Sequence, residues 1–215
     1  MTQLLSRRSF LKTSGIVLGA GAAACCGLTT LAVQSPETVL TESHYGAAST
    51  SSKVLVAYAT RCGSTIEIAQ AIAQTIGRAA AGVDVLPVKN VTGIHALQPY
   101  RAVIVGSAIR RGNWLAEASD FVARYREVLA KMPVAYFTAC MTLRDDTPES
   151  RQQVAAYVGP VRAVLEPQAE AFFAGKFDPN RVSVVERLML QMVGTPAGDF
   201  RNWQAVGNWA AELPF

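Results

Sequence analysis

The chain has 215 residues, half of them hydrophobic and 17% charged, which supplies one sizeable core with an appendage and excludes a disordered chain. Lys and Arg number 20 against 16 Asp and Glu, but Arg7, Arg8 and Lys12 precede Pro36 with no acidic residue among them, so the remainder is close to neutral and no nucleic-acid partner is expected. Four cysteines, Cys25, Cys26, Cys62 and Cys140, occur without a C-x-x-C spacing, which excludes a disulfide framework and leaves no metal site to expect.

Ser6-Arg7-Arg8-Ser9-Phe10-Leu11-Lys12 reads as a twin-arginine export signal. Paired arginines with a large apolar residue two positions on form a receptor-read address. The Ala- and Gly-rich stretch from Gly15 to Val33 has the low hydrophobicity of such a signal, and left uncut it is about long enough to span a bilayer. Ala22-Ala23-Ala24 offers small residues to a signal peptidase, and Cys25 offers a thiol for lipidation, with Ala22 standing where a lipobox usually has leucine. Cleavage, lipidation and retention as an anchor all stay open. The expected partner is the twin-arginine export machinery, and the expected destination is the periplasm or the outer face of the cytoplasmic membrane. Gln34 to Ser52 reads as a polar tether, with His44 a solvated residue in it. The chain thus divides into a leader over 1–34, a flexible linker over 35–52 and a folded domain over 53–215.

The domain opens on Val54 to Ala59, a short apolar run that suits a central parallel strand covered on both faces. Ile66 to Ile76 follows at helical spacing, with Ile68, Ala69, Ile72, Ala73 and Ile76 on one side. Between them lies Thr60-Arg61-Cys62-Gly63-Ser64-Thr65. Hydroxyls and unpaired N–H groups at a helix N-terminus favour an anion. The turn lacks the Gly-Lys-Ser/Thr ending of a Walker loop and the G-x-G-x-x-G of dinucleotide folds. A phosphate loop and an ordinary capped turn are its two readings.

Gly82 to Val88 predicts a second strand, and Asn90 to Tyr100 a loop or short helix in which His95 is a surface residue. Arg101 to Gly106 is the third strand, Ser107 to Trp114 its loop, and Leu115 to Leu129 a helix. Pro133 to Thr138 is the fourth strand, with Ala139 to Leu143 as its loop. Arg144 to Ser150 is polar and flexible by composition, and Ser150 to Leu165 is mostly helical. Gln168 to Phe173 is the fifth strand, and helices follow over Val184 to Val193 and Trp203 to Leu213. This alternation implies an α/β domain with three layers, α/β/α, around a parallel sheet. In a five-stranded sheet of order 2-1-3-4-5, the loops after strands one, three and four converge on one cleft.

Three segments carry a family resemblance: Tyr58-Ala59-Thr60-Arg61-Cys62-Gly63-Ser64-Thr65, then Val105-Gly106-Ser107-Ala108-Ile109-Arg110-Arg111-Gly112, and a tail with Met189, Met192, Gly194-Thr195, Asp199 and Trp203. From Lys53 to about Leu213 the chain resembles the flavodoxin superfamily, and within it the menaquinone-dependent protoporphyrinogen IX dehydrogenases of bacteria. The resemblance implies FMN as cofactor, with Thr60, Arg61, Cys62, Gly63, Ser64 and Thr65 on its phosphate. It implies the isoalloxazine between Ser107, Ala108, Ile109, Arg110, Gly112, Asn113 and Trp114 on one side and Thr138, Ala139, Cys140 and Met141 on the other. Leu143 to Pro160 occupies the place of a segment that is longer in that family than in short flavodoxins. The export signal departs from the family, whose dehydrogenases work where porphyrin intermediates are made.

Flavin chemistry needs no catalytic triad, because the cofactor carries the electrons. Arg110 and Arg111 are the candidate catalytic residues. They would place positive charge by a reduced flavin or bind a substrate carboxylate, and otherwise form a solvated pair. Trp114 stacks on flavin or packs at the helix start. Cys62 and Cys140 are small filling residues or, after export, a redox pair. The expected function is an exported FMN oxidoreductase passing electrons from a small reduced donor to a menaquinone-like membrane quinone, with a membrane surface as possible partner. The alternatives are an exported electron carrier without its own substrate and a flavin-free binding domain.

Overall fold

Lys53–Ala59 forms the central strand of the domain because its side chains alternate between two apolar layers. The computed structural model describes residues 38–46, 53–79, 82–192 and 196–214. The leader, with Cys25 and Cys26, lies outside the described residues. In chain order the strands are β1 (Ser43–Tyr45), β2 (Lys53–Ala59), β3 (Val83–Pro87), β4 (Tyr100–Arg110), β5 (Asn113–Trp114), β6 (Val134–Cys140), β7 (Ala169–Ala174), β8 (Lys176–Phe177) and β9 (Gly198–Asp199). The helices are α1 (Ser64–Arg78), α2 (Ala116–Leu129), α3 (Pro148–Arg162), α4 (Val184–Met192) and α5 (Trp203–Glu212).

The main sheet has seven strands in the order β1-β3-β2-β4-β6-β7, with β5 paired to β4. This corrects the expectation of five all-parallel strands: β1 and β5 are additions, both antiparallel. The mutually parallel strands run β3-β2-β4-β6-β7. Strand order therefore reverses between β2 and β4, the switch point at which open α/β sheets place ligands. β8 and β9 form a separate antiparallel pair.

Val54, Val56 and Tyr58 face a layer built from α1 and α5. Leu55, Ala57 and Ala59 face α2 and α3. Each helix supplies its apolar stripe, α1 through Ile68, Ala69, Ile72, Ala73 and Ile76, and α2 through Ala118, Phe121, Val122, Tyr125 and Leu129. α3 starts earlier than its composition suggests. Thr147 caps it by accepting from the Ser150 N–H at 3.2 Å, the Ser150 hydroxyl accepts from the Thr147 N–H at 3.0 Å, and Pro148 takes the first helical position.

The linker expectation over 35–52 is corrected for residues 38–46. Ser43–Tyr45 pairs with β3, and His44 Nδ1 lies 2.7 Å from Asp84 Oδ1. Asp84 is a buried carboxylate that also accepts from the Tyr100 hydroxyl at 2.9 Å and from Lys53 Nζ at 3.4 Å. A buried charge needs such partners, and His44, solvated as expected on most of its side chain, is one of them. Upstream, the Thr41 N–H donates to the Tyr58 hydroxyl at 3.0 Å, which donates back to the Thr41 carbonyl at 2.8 Å. Thr38 Oγ1 donates to the Arg61 carbonyl.

Residues 179–196 group apart from the rest of the described domain. Within them α4 exposes Val184, Leu188 and Met192, four residues apart along one helix face. Among the described residues no helix is long and apolar enough to cross a membrane.

Candidate functional site

The register lines up the C-terminal ends of the parallel strands. Ala59 pairs with Ser107, Ser107 with Thr138, Ala108 with Ala139, and Cys140 with Ala174. The segments that follow β2, β4 and β6, which the sequence predicts to converge, therefore start along one edge of the sheet, which is what a shared site requires.

The turn between β2 and α1 is closed from within. Thr60 Oγ1 accepts from the Gly63 N–H at 3.0 Å. Gly63 stands at φ 88°, in the left-handed region, as N-cap without a side-chain cap, and a residue with a Cβ would be strained there. The N–H groups of Ser64 and Thr65 then head the helix ahead of its hydrogen-bond ladder. Thr65 Oγ1 is fully buried and has no hydrogen-bond partner among the described residues. Leaving a buried hydroxyl unsatisfied costs about 1–3 kcal/mol. An anion at this helix N-terminus would satisfy it, so the residues present fit a phosphate group.

Arg61 turns away from this turn. It is exposed and reaches Glu117 Oε2 of α2 at 3.3 Å. Cys62 is half-buried and Cys140 buried, and no disulfide joins them in this structure. Burial pushes the Cys140 thiol above its ordinary range against hydrogen bonds from Thr142, which disfavours the nucleophilic thiolate.

Ser107 to Trp114 is not the loop the sequence predicts. β4 continues to Arg110, and β5 returns with Arg110 opposite Asn113 and Ile109 opposite Trp114. Arg111 and Gly112 form the connection at φ 52° and 75°, the doubly left-handed two-residue turn that matches strand twist. Of the residues assigned to this side of the cofactor, Ala108 and Ile109 are half-buried at the edge, and Arg110 and Asn113 are exposed around Gly112, as is the candidate catalytic Arg111.

Ser107 and Trp114 are buried at the base of this hairpin. The Ser107 hydroxyl is buried, accepts from the Leu115 N–H at 3.1 Å and donates to the Ala108 carbonyl at 2.9 Å. It locks the hairpin to the start of α2. Trp114 is 4% exposed, packs edge-on to Tyr136 at 5.0 Å between ring centroids and donates its indole N–H to Thr138 Oγ1 at 2.9 Å. A buried indole N–H needs an acceptor, and Thr138 provides it. The Trp114 indole N–H and the Thr138 hydroxyl thus serve each other in this structure. Ala139 and Cys140 are strand residues inside the core, and Met141 is half-buried at the start of a short 3-10 turn over Met141–Arg144.

Two features escaped the sequence reading. The first is a cleft of about 150 Å³ on the β3 side of the turn, lined in part by Leu40, Tyr58, Thr60, Arg61, Lys89 and Glu117. Its wall at Leu40 belongs to the stretch read as linker, so nothing in the sequence marked it. The second is Arg201, whose side chain is 2% exposed and whose guanidinium lies 2.8 Å from Glu67 Oε2 in the first turn of α1. A single arginine between two elements carries no sequence pattern.

Comparison with known proteins agrees with this geometry. A family model described as a flavodoxin domain matches residues 55–202. The protoporphyrinogen IX dehydrogenase (quinone) of Escherichia coli strain K12 is 24% identical over 173 residues, which cover 75% of this chain and 94% of that protein. The protein of the same name from Leishmania major is 26% identical over 179 residues, covering 77% of this chain and 76% of that one. Among solved structures, a flavodoxin from the domain Archaea covers 75% of this chain and 95% of its own at 16% identity and a TM-score of 0.47. Flavodoxin 2 from Bacillus cereus covers 67% and 97% at 24% identity and a TM-score of 0.42. The family match spans well over half of the chain and includes the turn that holds the orphaned Thr65 hydroxyl: this chain belongs to the flavodoxin family, and its cofactor is FMN.

Proposed function

We propose that the chain is an exported oxidoreductase that uses FMN to pass electrons from a small reduced donor, of the protoporphyrinogen type, to a menaquinone-like quinone in the membrane. The Ser64 and Thr65 N–H groups and the Thr65 hydroxyl hold the phosphate, while Thr60 and Gly63 shape the turn. Ala108, Ile109, the exposed tip from Arg110 to Asn113, and Met141 wall the ring site. FMN bound there supplies the redox chemistry. Arg110 and Arg111 supply positive charge at the rim, where a donor carboxylate would be recognised.

The observation that carries this reading is the reach of the likeness to the quinone-linked dehydrogenase, which runs over nearly the whole of the Escherichia coli protein. It takes in the rim segments as well as the sheet. The exposed apolar residues Val184, Leu188 and Met192 on α4 support contact with a bilayer, where a quinone resides. The twin-arginine signal supports delivery to the outer face of the cytoplasmic membrane.

The test is to purify the protein without its leader, identify the released flavin, and assay FMN-loaded protein with protoporphyrinogen and a soluble menaquinone analogue. Donor-dependent reduction of the quinone is the expected result. FMN-loaded protein that reduces no quinone with this donor, yet exchanges electrons with redox proteins, would replace this reading with that of an electron carrier.

A further inference from the structure

We infer that Arg201 is a positioning residue for the cofactor phosphate: it orients the Ser64–Thr65 peptide and neutralises Glu67 beside the anion site. The inference rests on the assignment of FMN to this turn. Arg201 grips Asp199 with a fork, Nε to Oδ1 at 2.7 Å and Nη2 to Oδ2 at 2.6 Å. The same Nη2 meets Glu67 Oε2 at 2.8 Å, and Nη1 lies 3.5 Å from the Ser64 carbonyl oxygen. The guanidinium also lies 4.4 Å from the centre of the Trp203 ring.

The Asp199 fork and the Trp203 ring hold the guanidinium within the tail itself. The remaining contacts, to Ser64 and Glu67, both fall in the first turn of α1. A trans peptide is planar, with its C=O and N–H on opposite sides. A positive charge that draws the Ser64 carbonyl to one side turns the Thr65 N–H to the other. Thr65 is also the residue whose buried hydroxyl has no protein partner. Arg201 thus acts on the back of the peptide whose front faces the phosphate.

The electrostatics point the same way. Glu67 suits a helix N-terminus by itself, but it repels a phosphate bound at the same end. Arg201, Glu67 and Asp199 together carry one net negative charge. Removing the arginine makes that two, and removing the Glu67 charge makes it zero. Little of this cluster is screened by water on the arginine side, since Arg201 is buried. The effect should therefore be felt by FMN, which carries the phosphate, and not by riboflavin, which lacks it.

The experiment measures FMN and riboflavin affinities by quenching of flavin fluorescence on the full chain freed of flavin. It compares the unaltered protein with Arg201→Gln, Glu67→Gln and the double variant, with thermal melts as a check on folding. Arg201→Gln is expected to weaken FMN roughly tenfold or more and riboflavin less than about twofold. Glu67→Gln is expected to tighten FMN by roughly threefold, and the double variant to recover most of the loss. Equal losses for the two flavins, or weaker FMN binding in Glu67→Gln, would overturn the inference. If Arg201→Gln does not fold, the sign of the Glu67→Gln change decides alone. Unaltered protein that binds no FMN would instead overturn the cofactor assignment, so the two failures are distinguishable.

Discussion

At the scale of single residues, the site is assembled from groups that the fold leaves incomplete or crowded. Thr65 is the incomplete one. Replacing it by the near-isosteric valine removes an unsatisfied buried hydroxyl, so the flavin-free Thr65→Val protein should gain about 1 kcal/mol of stability while losing affinity for FMN. Denaturant midpoints and FMN titrations on the same samples check this, and a flavin-free protein that loses stability would show that the hydroxyl has a protein acceptor. Gly106 is the crowded residue. A Cβ there would fall 1.9 Å from Cζ of the Phe137 ring, which packs against the bare backbone. Gly106→Ala should cost about 2–3 kcal/mol, and Phe137→Leu in the same chain should recover part of it. Additive losses in urea unfolding would contradict that packing. The glycine before Ser107 was legible only as part of a resembling segment, because the ring that demands it comes from the next strand. Trp114 was ambiguous for the same reason: an indole after a strand either stacks or packs, and the choice rests on Thr138, 24 residues on.

At the scale of elements, the legible parts were those with a strong period. The apolar runs of β2, β4 and β6 and the helical stripes of α1 and α2 stand where their patterns put them, because each buries its face against a long neighbour. The β4–β5 hairpin was hidden, since its turn is Arg111-Gly112 rather than the Asn-Gly pair that usually signals one. β1 was hidden because three residues in a Ser- and Thr-rich stretch carry no period. Yet β1 is fastened by Asp84. Burial alone would raise that carboxyl, but the hydrogen bonds from His44 and Tyr100 and the charge of Lys53 outweigh it and hold Asp84 below the usual carboxylate range. The sign follows: a group whose folded value is depressed adds stability above its unfolded value, roughly pH 4, and that stability is lost as the pH falls through the folded value. Asp84→Asn should therefore cost most at neutral pH, and the cost should shrink as the pH falls below about 4. A difference from the unaltered protein that does not shrink on acidification would rule out this origin. A chain beginning at Lys53 should likewise be about 1–2 kcal/mol less stable than one beginning at Glu37, because it loses both the His44–Asp84 contact and the Thr41–Tyr58 pair.

At the scale of the whole molecule, the proposed export signal and the cofactor site would constrain each other. A twin-arginine signal directs proteins that have already folded, and a flavin that binds only the folded state adds to the stability of what is exported. With FMN at a hundred times its dissociation constant the gain is about 2.7 kcal/mol, a large fraction of the stability of an ordinary domain. The segment leading into the domain is fastened beside the phosphate turn, through Thr38 on the Arg61 carbonyl and Thr41 on Tyr58. Folding of the domain and ordering of its entry segment are therefore physically linked. On the export proposal, Arg7→Lys with Arg8→Lys should leave the protein in the cytoplasm, folded and loaded with FMN, because the altered residues lie far in sequence from the turn that binds it. Thr65→Val, with an intact signal, should be exported with less FMN per chain. Fractionation with flavin measured in each compartment reads both variants. If the paired lysine variant reached the outer compartment as efficiently as the unaltered chain, the twin-arginine route would be wrong, while the cofactor assignment would stand on its own geometry.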